Sequence, residues 1–143
     1  MNGRAMTDVL LHGGATEAFD RSVVFARRLA ESFGARLHVV YTVEDPLAAG
    51  WTAEVSAERL PEIHQAIEEE ARRRLDRVIP LEEQERLGLT LAICIGPEER
   101  EVVRYTEEHH VDLAIVHAPP ADRDRSLAHA LVDGGRCSVL VLR

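Results

Sequence analysis

The sequence has 143 residues, with 25 Asp and Glu against 17 basic residues, a net charge of −8 and a pI near 5.3. All 17 basic residues are Arg, and the absence of Lys excludes Schiff-base chemistry, a Walker-type phosphate loop and a lysine general base. The acidic balance argues against nonspecific binding to nucleic acid or to anionic membranes, and no apolar run approaches the roughly 20 residues of a membrane helix.

One domain is expected over residues 1–143. The opening Met1–Met6 lacks the apolar stretch of a signal peptide, which makes the cytoplasm the expected compartment. Asp8-Val9-Leu10-Leu11-His12 reads as a short strand buried on both faces and closed by Gly13-Gly14. Thr16 is the expected cap of a helix in which Phe19, Val23, Ala26, Ala30 and Phe33 share one face, stopping at Gly34. Leu37, Val39, Tyr41 and Val43 then alternate with Arg36, His38, Val40 and Thr42, the period of a second strand. Glu44 to Thr52, with Pro46 and Gly50, is a loop.

A long helix follows from about Ser56 to Val78, with Leu60, Ile63, Ile67, Ala71, Leu75 and Val78 as its apolar stripe. Pro61 lies near its expected start and Pro80 ends it. The Glu68–Glu70 and Arg72–Arg74 runs read as a solvated face with Glu68–Arg72 and Glu69–Arg73 pairs, not as a nucleic-acid patch. Leu89 to Ile95 is a third strand, broken by Gly96-Pro97. Glu98 to His109 is a helix with acids in its first turn and histidines in its last, matching the helix dipole. Asp112 to His117 is a fourth strand, and Ala118 to Arg125 is a polar loop containing Pro119-Pro120. Ser126 caps a short helix that ends near Gly134-Gly135, and Ser138 to Arg143 is the fifth strand. Cys94 and Cys137 lie beside or within apolar strands and read as buried free thiols.

Strands that alternate with helices imply a parallel sheet with right-handed crossovers and helices on both faces. Ligands in such sheets bind outside the C-terminal strand ends, where the strand order reverses. With the order 3-2-1-4-5, the first and fourth strands flank that point. His12 and His117 end those strands and frame the expected site.

The same pattern resembles the universal stress protein family over essentially the whole chain. The stretch from Asp8 to Val40 matches the family's opening in length and spacing, and Gly96-Pro97-Glu98 stands at its Gly turn. The segments VDLAIV and CSVLVL are similar to the family's fourth and closing strands. The resemblance implies an α/β three-layer sandwich, a five-stranded parallel sheet of order 3-2-1-4-5 with an adenine nucleotide alpha hydrolase-like, Rossmann-like fold.

The family's ATP-binding members carry G-x2-G-x9-G-[ST] after the fourth strand and an aspartate just after the first. Glycines there let backbone N–H groups approach the phosphates, and the hydroxyl adds a donor at a helix N-terminus. Here His117 and Pro120 stand at the first two Gly positions, and proline has no N–H to offer. Arg125-Ser126 aligns with the closing pair, so the serine survives and the glycine does not. The intervening loop is shortened, and His12-Gly13-Gly14 replaces the aspartate. ATP and AMP are therefore disfavoured, and no cofactor is expected.

The ligand-contacting candidates are His12, Gly13, Gly14, Tyr41, Gly96, His117, Arg123, Arg125 and Ser126. Arg123 and Arg125 could fork onto a phosphate, but Asp122 and Asp124 interleave with them and offset the potential. His12 and His117 alone fall short of the roughly four ligands of a structural zinc site, so no metal is expected. Ser126 and His129, three apart on one helix, lack an orienting acid, so no catalytic residue is assigned.

Val139-Leu140-Val141-Leu142 is an apolar run on the expected sheet edge, a hazard unless covered. Pairing with a second copy about a two-fold axis would cover it, and the resemblance implies the same homodimer. The expected function is a stress-response protein acting through a protein partner or a small ligand other than ATP. The alternative is an adenine-nucleotide sensor or weak ATP hydrolase built on Arg123, Arg125 and Ser126.

Overall fold

Short apolar runs bounded by Gly or Pro form the strands of the computed structural model, which describes residues 6–13, 19–43, 50, 52–118 and 127–143. β1 (Asp8–Gly13), β2 (Arg36–Val43), β3 (Thr90–Ile95), β4 (Leu113–His117) and β5 (Ser138–Leu142) make one parallel sheet. Its order is β3-β2-β1-β4-β5, as expected. The connecting helices are α1 (Phe19–Phe33), α2 (Ala53–Val78), α3 (Leu81–Arg86), α4 (Glu98–Glu108) and α5 (Leu127–Gly134).

Strand alternation splits the core into two layers. Val9, Leu11, Leu37, Val39, Tyr41 and Ile115 meet Phe19, Val23, Ala26 and Ala30 of α1 with Ala71 and Leu75 of α2. Leu10, Val40, Ala114 and Val116 meet Val102 and Tyr105 of α4 with Leu127 and Leu131 of α5. Each such Leu, Val or Phe stabilises the fold by about 1.5–3 kcal/mol when fully buried. Because both sheet faces are covered, β2 is buried continuously from Leu37 to Tyr41 and does not alternate between core and solvent.

The structure departs from the expected elements in five places. First, α3 was not expected: Pro80 ends α2 but also serves as the N-cap of a further helix. Glu82 and Glu83 complement the dipole of its first turn, and the buried Gln84 amide donates to the Ile79 carbonyl and to Asp76, both at 2.9 Å. Second, α2 begins at Ala53, which places Pro61 inside the helix, where it removes an N–H donor from the ladder. Third, only Ala71 and Leu75 of the α2 stripe are buried, whereas Leu60, Ile63, Ile67 and Val78 are half-buried. Fourth, the polar face of α2 pairs differently: Glu70 takes Arg73 at 2.8 Å and Arg74 at 3.8 Å, while His64 faces Glu68 and Gln65 donates to Glu69. Fifth, Phe33 is 50% exposed, because it lies in the last turn of α1, where the chain leaves the sheet through Gly34. Cys94 and Cys137 are free, as expected, but half-buried.

Candidate functional site

The strand order reverses between β1 and β4, so the crevice of interest lies beyond Gly13 and His117. Leu11 pairs with Ile115 in parallel register. His12 follows Leu11 by one residue and His117 follows Ile115 by two, so the two imidazoles point to opposite faces of the sheet. The pair expected to frame one cleft is divided by the sheet itself, and each ring has its own partners.

On the α4 side, His12 is 7% exposed, and its Nε2 lies 2.9 Å from the Thr42 hydroxyl and 3.3 Å from a Glu98 carboxylate oxygen. Burial, reinforced by the nearby His117, pushes its pKa down to about 4 in spite of Glu98. At neutral pH the contact is therefore a hydrogen bond from a neutral ring, not an ion pair. Between the ordinary value of 6.5 and about 4, the unfolded chain takes up a proton that folded His12 refuses. Stability contributed by the neutral ring is complete above that window and falls as pH drops through it, by about 3 kcal/mol at the acid end. His117 is also pushed down by burial and acts in the same direction. His12→Gln is expected to flatten this acid limb in urea melts at neutral pH and near pH 4. An acid limb identical to wild type would show that His12 does not titrate in this way.

On the α1 side, the Tyr41 ring covers Gly13. A Cβ on Gly13 would stand 2.8 Å from Tyr41 Cζ and 3.1 Å from Phe19 Cε2, so only glycine admits the ring. Tyr41 and Phe19 pack with centroids 5.6 Å apart. Burial pushes the Tyr41 hydroxyl up to about 12, with Arg74 pulling the other way. Among the described residues that hydroxyl finds no hydrogen-bond partner, a state that costs about 1–3 kcal/mol. His117 Nε2 meets Ser22 Oγ of α1 at 2.5 Å.

Gly96 joins β3 to α4 at φ 141°, its N–H bonded to the Val43 carbonyl at 2.9 Å. The buried Glu101 carboxylate presses on it, 2.8 Å from where a Cβ would stand. Gly96 thus has a structural task in the turn. Gly14, Arg123, Arg125 and Ser126, with Thr16 and the Pro119-Pro120 loop, lie outside the described residues. Among the described residues, no group of three or more His, Cys, Asp or Glu is placed to hold a metal ion, and no helix is long and apolar enough to cross a membrane.

At the opposite end of the sheet is a polar network that the sequence reading passed over. His38 Nε2 lies 2.8 Å from Asp8 Oδ1, and its Nδ1 lies 2.8 Å from the Tyr105 hydroxyl. With Nε2–H donating to the carboxylate, Nδ1 accepts the Tyr105 proton. Thr7 and Arg36 donate to Asp8 Oδ2 at 2.8 and 3.2 Å, and Tyr105 stacks on His109 with centroids 4.0 Å apart. Burial raises the Asp8 pKa, but the bonds from His38, Thr7 and Arg36 together outweigh it and hold the carboxyl below its ordinary range. A polar Asp at the head of one buried strand and a His inside another were the available signals.

At the β5 edge, Val141 is 41% exposed, while Val139, Leu140 and Leu142 are half-buried.

The model of the universal stress protein family matches residues 12–143. No curated protein matches the chain. Among solved structures, universal stress protein UspA from Lactobacillus plantarum shares 22% identity and a TM-score of 0.76, over 99% of this chain and 100% of that one. A universal stress protein in complex with cAMP shares 16% identity and a TM-score of 0.65 over 98% of each chain. The universal stress protein from Archaeoglobus fulgidus in complex with dAMP shares 15% identity and a TM-score of 0.56, over 96% of this chain and 98% of that one. At these identities the likeness to the solved structures is one of fold.

Proposed function

Since the chain belongs to the universal stress protein family, we propose that it is a cytoplasmic, homodimeric stress-response protein that does not hold ATP through the family's glycine loop. It acts instead through a protein partner or a different small ligand. The observation that carries this reading is the crowding of the strand-end crevice by the chain's own side chains. Tyr41 and Phe19 cover Gly13, Ser22 engages His117, and Glu98 stands beside His12. A phosphate site needs open backbone N–H groups and positive potential, whereas the described residues of this crevice present aromatic rings and a carboxylate. Pro120 and Arg125 at two of the motif's glycine positions act in the same direction. The homodimer is supported by β5, an outer strand of apolar residues whose Val141 is exposed.

A second reading, an adenine-nucleotide sensor or weak hydrolase using Arg123, Arg125 and Ser126, draws support from the related proteins in complex with cAMP and dAMP. Thermal-shift titration with ATP, AMP and cAMP separates the two. We expect no saturable rise in Tm with any nucleotide; a saturable, nucleotide-specific rise would favour the second reading.

A further inference from the structure

The two faces of the sheet are covered unequally. On one face α4 and α5 pack against residues of all five strands. On the other, α1 and α2 lie over β1, β2 and β3, and among the described helices only one flank of α1 reaches toward β4 and β5. Leu113, Leu140 and Leu142 are left half-buried there as an apolar floor. Ser22 fixes which flank of α1 stands above them, since it bonds to His117 of β4 at 2.5 Å. Phe25, Leu29 and Phe33 follow Ser22 along that flank, one turn apart; Phe25 is 41% exposed, Phe33 50% exposed and Leu29 half-buried. We propose that this floor and flank receive one amphipathic helix of a protein partner, its apolar side on Phe25, Leu29 and Phe33 and its edge acidic.

Shape and charge select that occupant. Two strands about 4.8 Å apart make a strip about as wide as one helix of roughly 10 Å, and α/β layers close by laying a helix on such a strip. Aromatic and aliphatic anchors one turn apart are the spacing that a docked helix reads. The charge on α1 is segregated between its flanks. Arg21 and Arg28 stand four residues before and three after Phe25, both exposed and neither in an ion pair with a described residue. On the opposite flank Glu31 takes Arg86 at 2.8 Å and Arg27 takes Glu83 at 2.5 Å, so the charges there are already matched. In a chain of net charge −8, two free guanidinium groups beside two exposed phenyl rings complement acidic side chains flanking an apolar stripe. Edge pairing through β5 extends the sheet within its own plane and leaves this face open, so docking and dimer are separate.

The proposal rests on the protein-partner reading above and gives that partner its chemistry. A fluorescein-labelled peptide of about 18 Leu and Glu residues, patterned as an amphipathic helix, is titrated into the full-length protein and followed by anisotropy. Saturable binding is expected, and the same peptide with Lys in place of Glu should bind at least about tenfold more weakly. Phe25→Ala combined with Phe33→Ala should weaken the acidic peptide by roughly thirtyfold, with a circular-dichroism melt as in wild type. Arg21→Glu combined with Arg28→Glu should weaken it about tenfold and remove its salt dependence. Val132→Ala, at a 67% exposed apolar position of α5 on the other face, should change nothing. Absence of binding to wild type, equal binding of the Lys peptide, or binding that survives the paired Phe substitutions would overturn the assignment. So would a dimer that dissociates in the paired Phe variant, which would give the face to a second copy, or phosphatidylglycerol vesicles bound by wild type and released by that variant, which would give it to a membrane. ATP binding that leaves the peptide bound would defeat the proposed loss of ATP but not the docking face.

Discussion

Asp8→Ala is expected to lower the unfolding free energy by about 1.5–3 kcal/mol, read as a drop in urea midpoint at unchanged slope. The Asp8 side chain is 4% exposed and that of His38 is 9% exposed, so the pair sits where lost partners are not replaced by water. Removing the carboxylate strands His38 Nε2–H and leaves Arg36 without its 3.2 Å contact, while the exposed Thr7 hydroxyl keeps Asp112 at 3.2 Å. The Arg36 contribution is small, because its side chain is 67% exposed and its charge is screened. Asp8→Asn should cost less, since an amide oxygen still accepts from His38. A loss below about 1 kcal/mol for Asp8→Ala would show that the network adds little beyond packing. An effect of the expected size would consume a large share of the roughly 5–15 kcal/mol that holds a domain folded.

Val141→Lys is expected to convert a homodimer into a monomer in size-exclusion chromatography with light scattering. Val141 is 41% exposed on the outer strand, the position from which a second β5 would be approached. An ammonium placed against an apolar strand costs several kcal/mol to desolvate, and each 1.4 kcal/mol weakens association tenfold. The dimer constant should therefore rise by roughly a hundredfold or more. A dimer unaffected by the substitution, or a monomeric wild type, would contradict pairing through β5.

The five strands were legible because they are short apolar runs punctuated by Gly and Pro, and covering both faces keeps such runs apolar throughout. His12 and His117 were legible as strand ends, but not as neighbours on opposite faces. That fact depends on the register Leu11 to Ile115, which no local pattern states. α3 was hidden because LEEQER is six residues with one apolar position, too short for a period to emerge. The Asp8–His38–Tyr105 chain joins residues 30 and 67 positions apart, so only the folded sheet brings it together. Tyr41 was visible as a strand residue near the crevice, but its role in closing Gly13 depends on the Phe19 contact.

The most direct test of the central claim, that the strand-end crevice is filled by the chain's own side chains and holds no ATP, is the nucleotide content of the freshly purified protein. The protein is denatured and the released small molecules are resolved by ion-exchange chromatography. The expected result is no ATP, AMP or cyclic nucleotide in stoichiometric amount. Near one ATP per chain would contradict it.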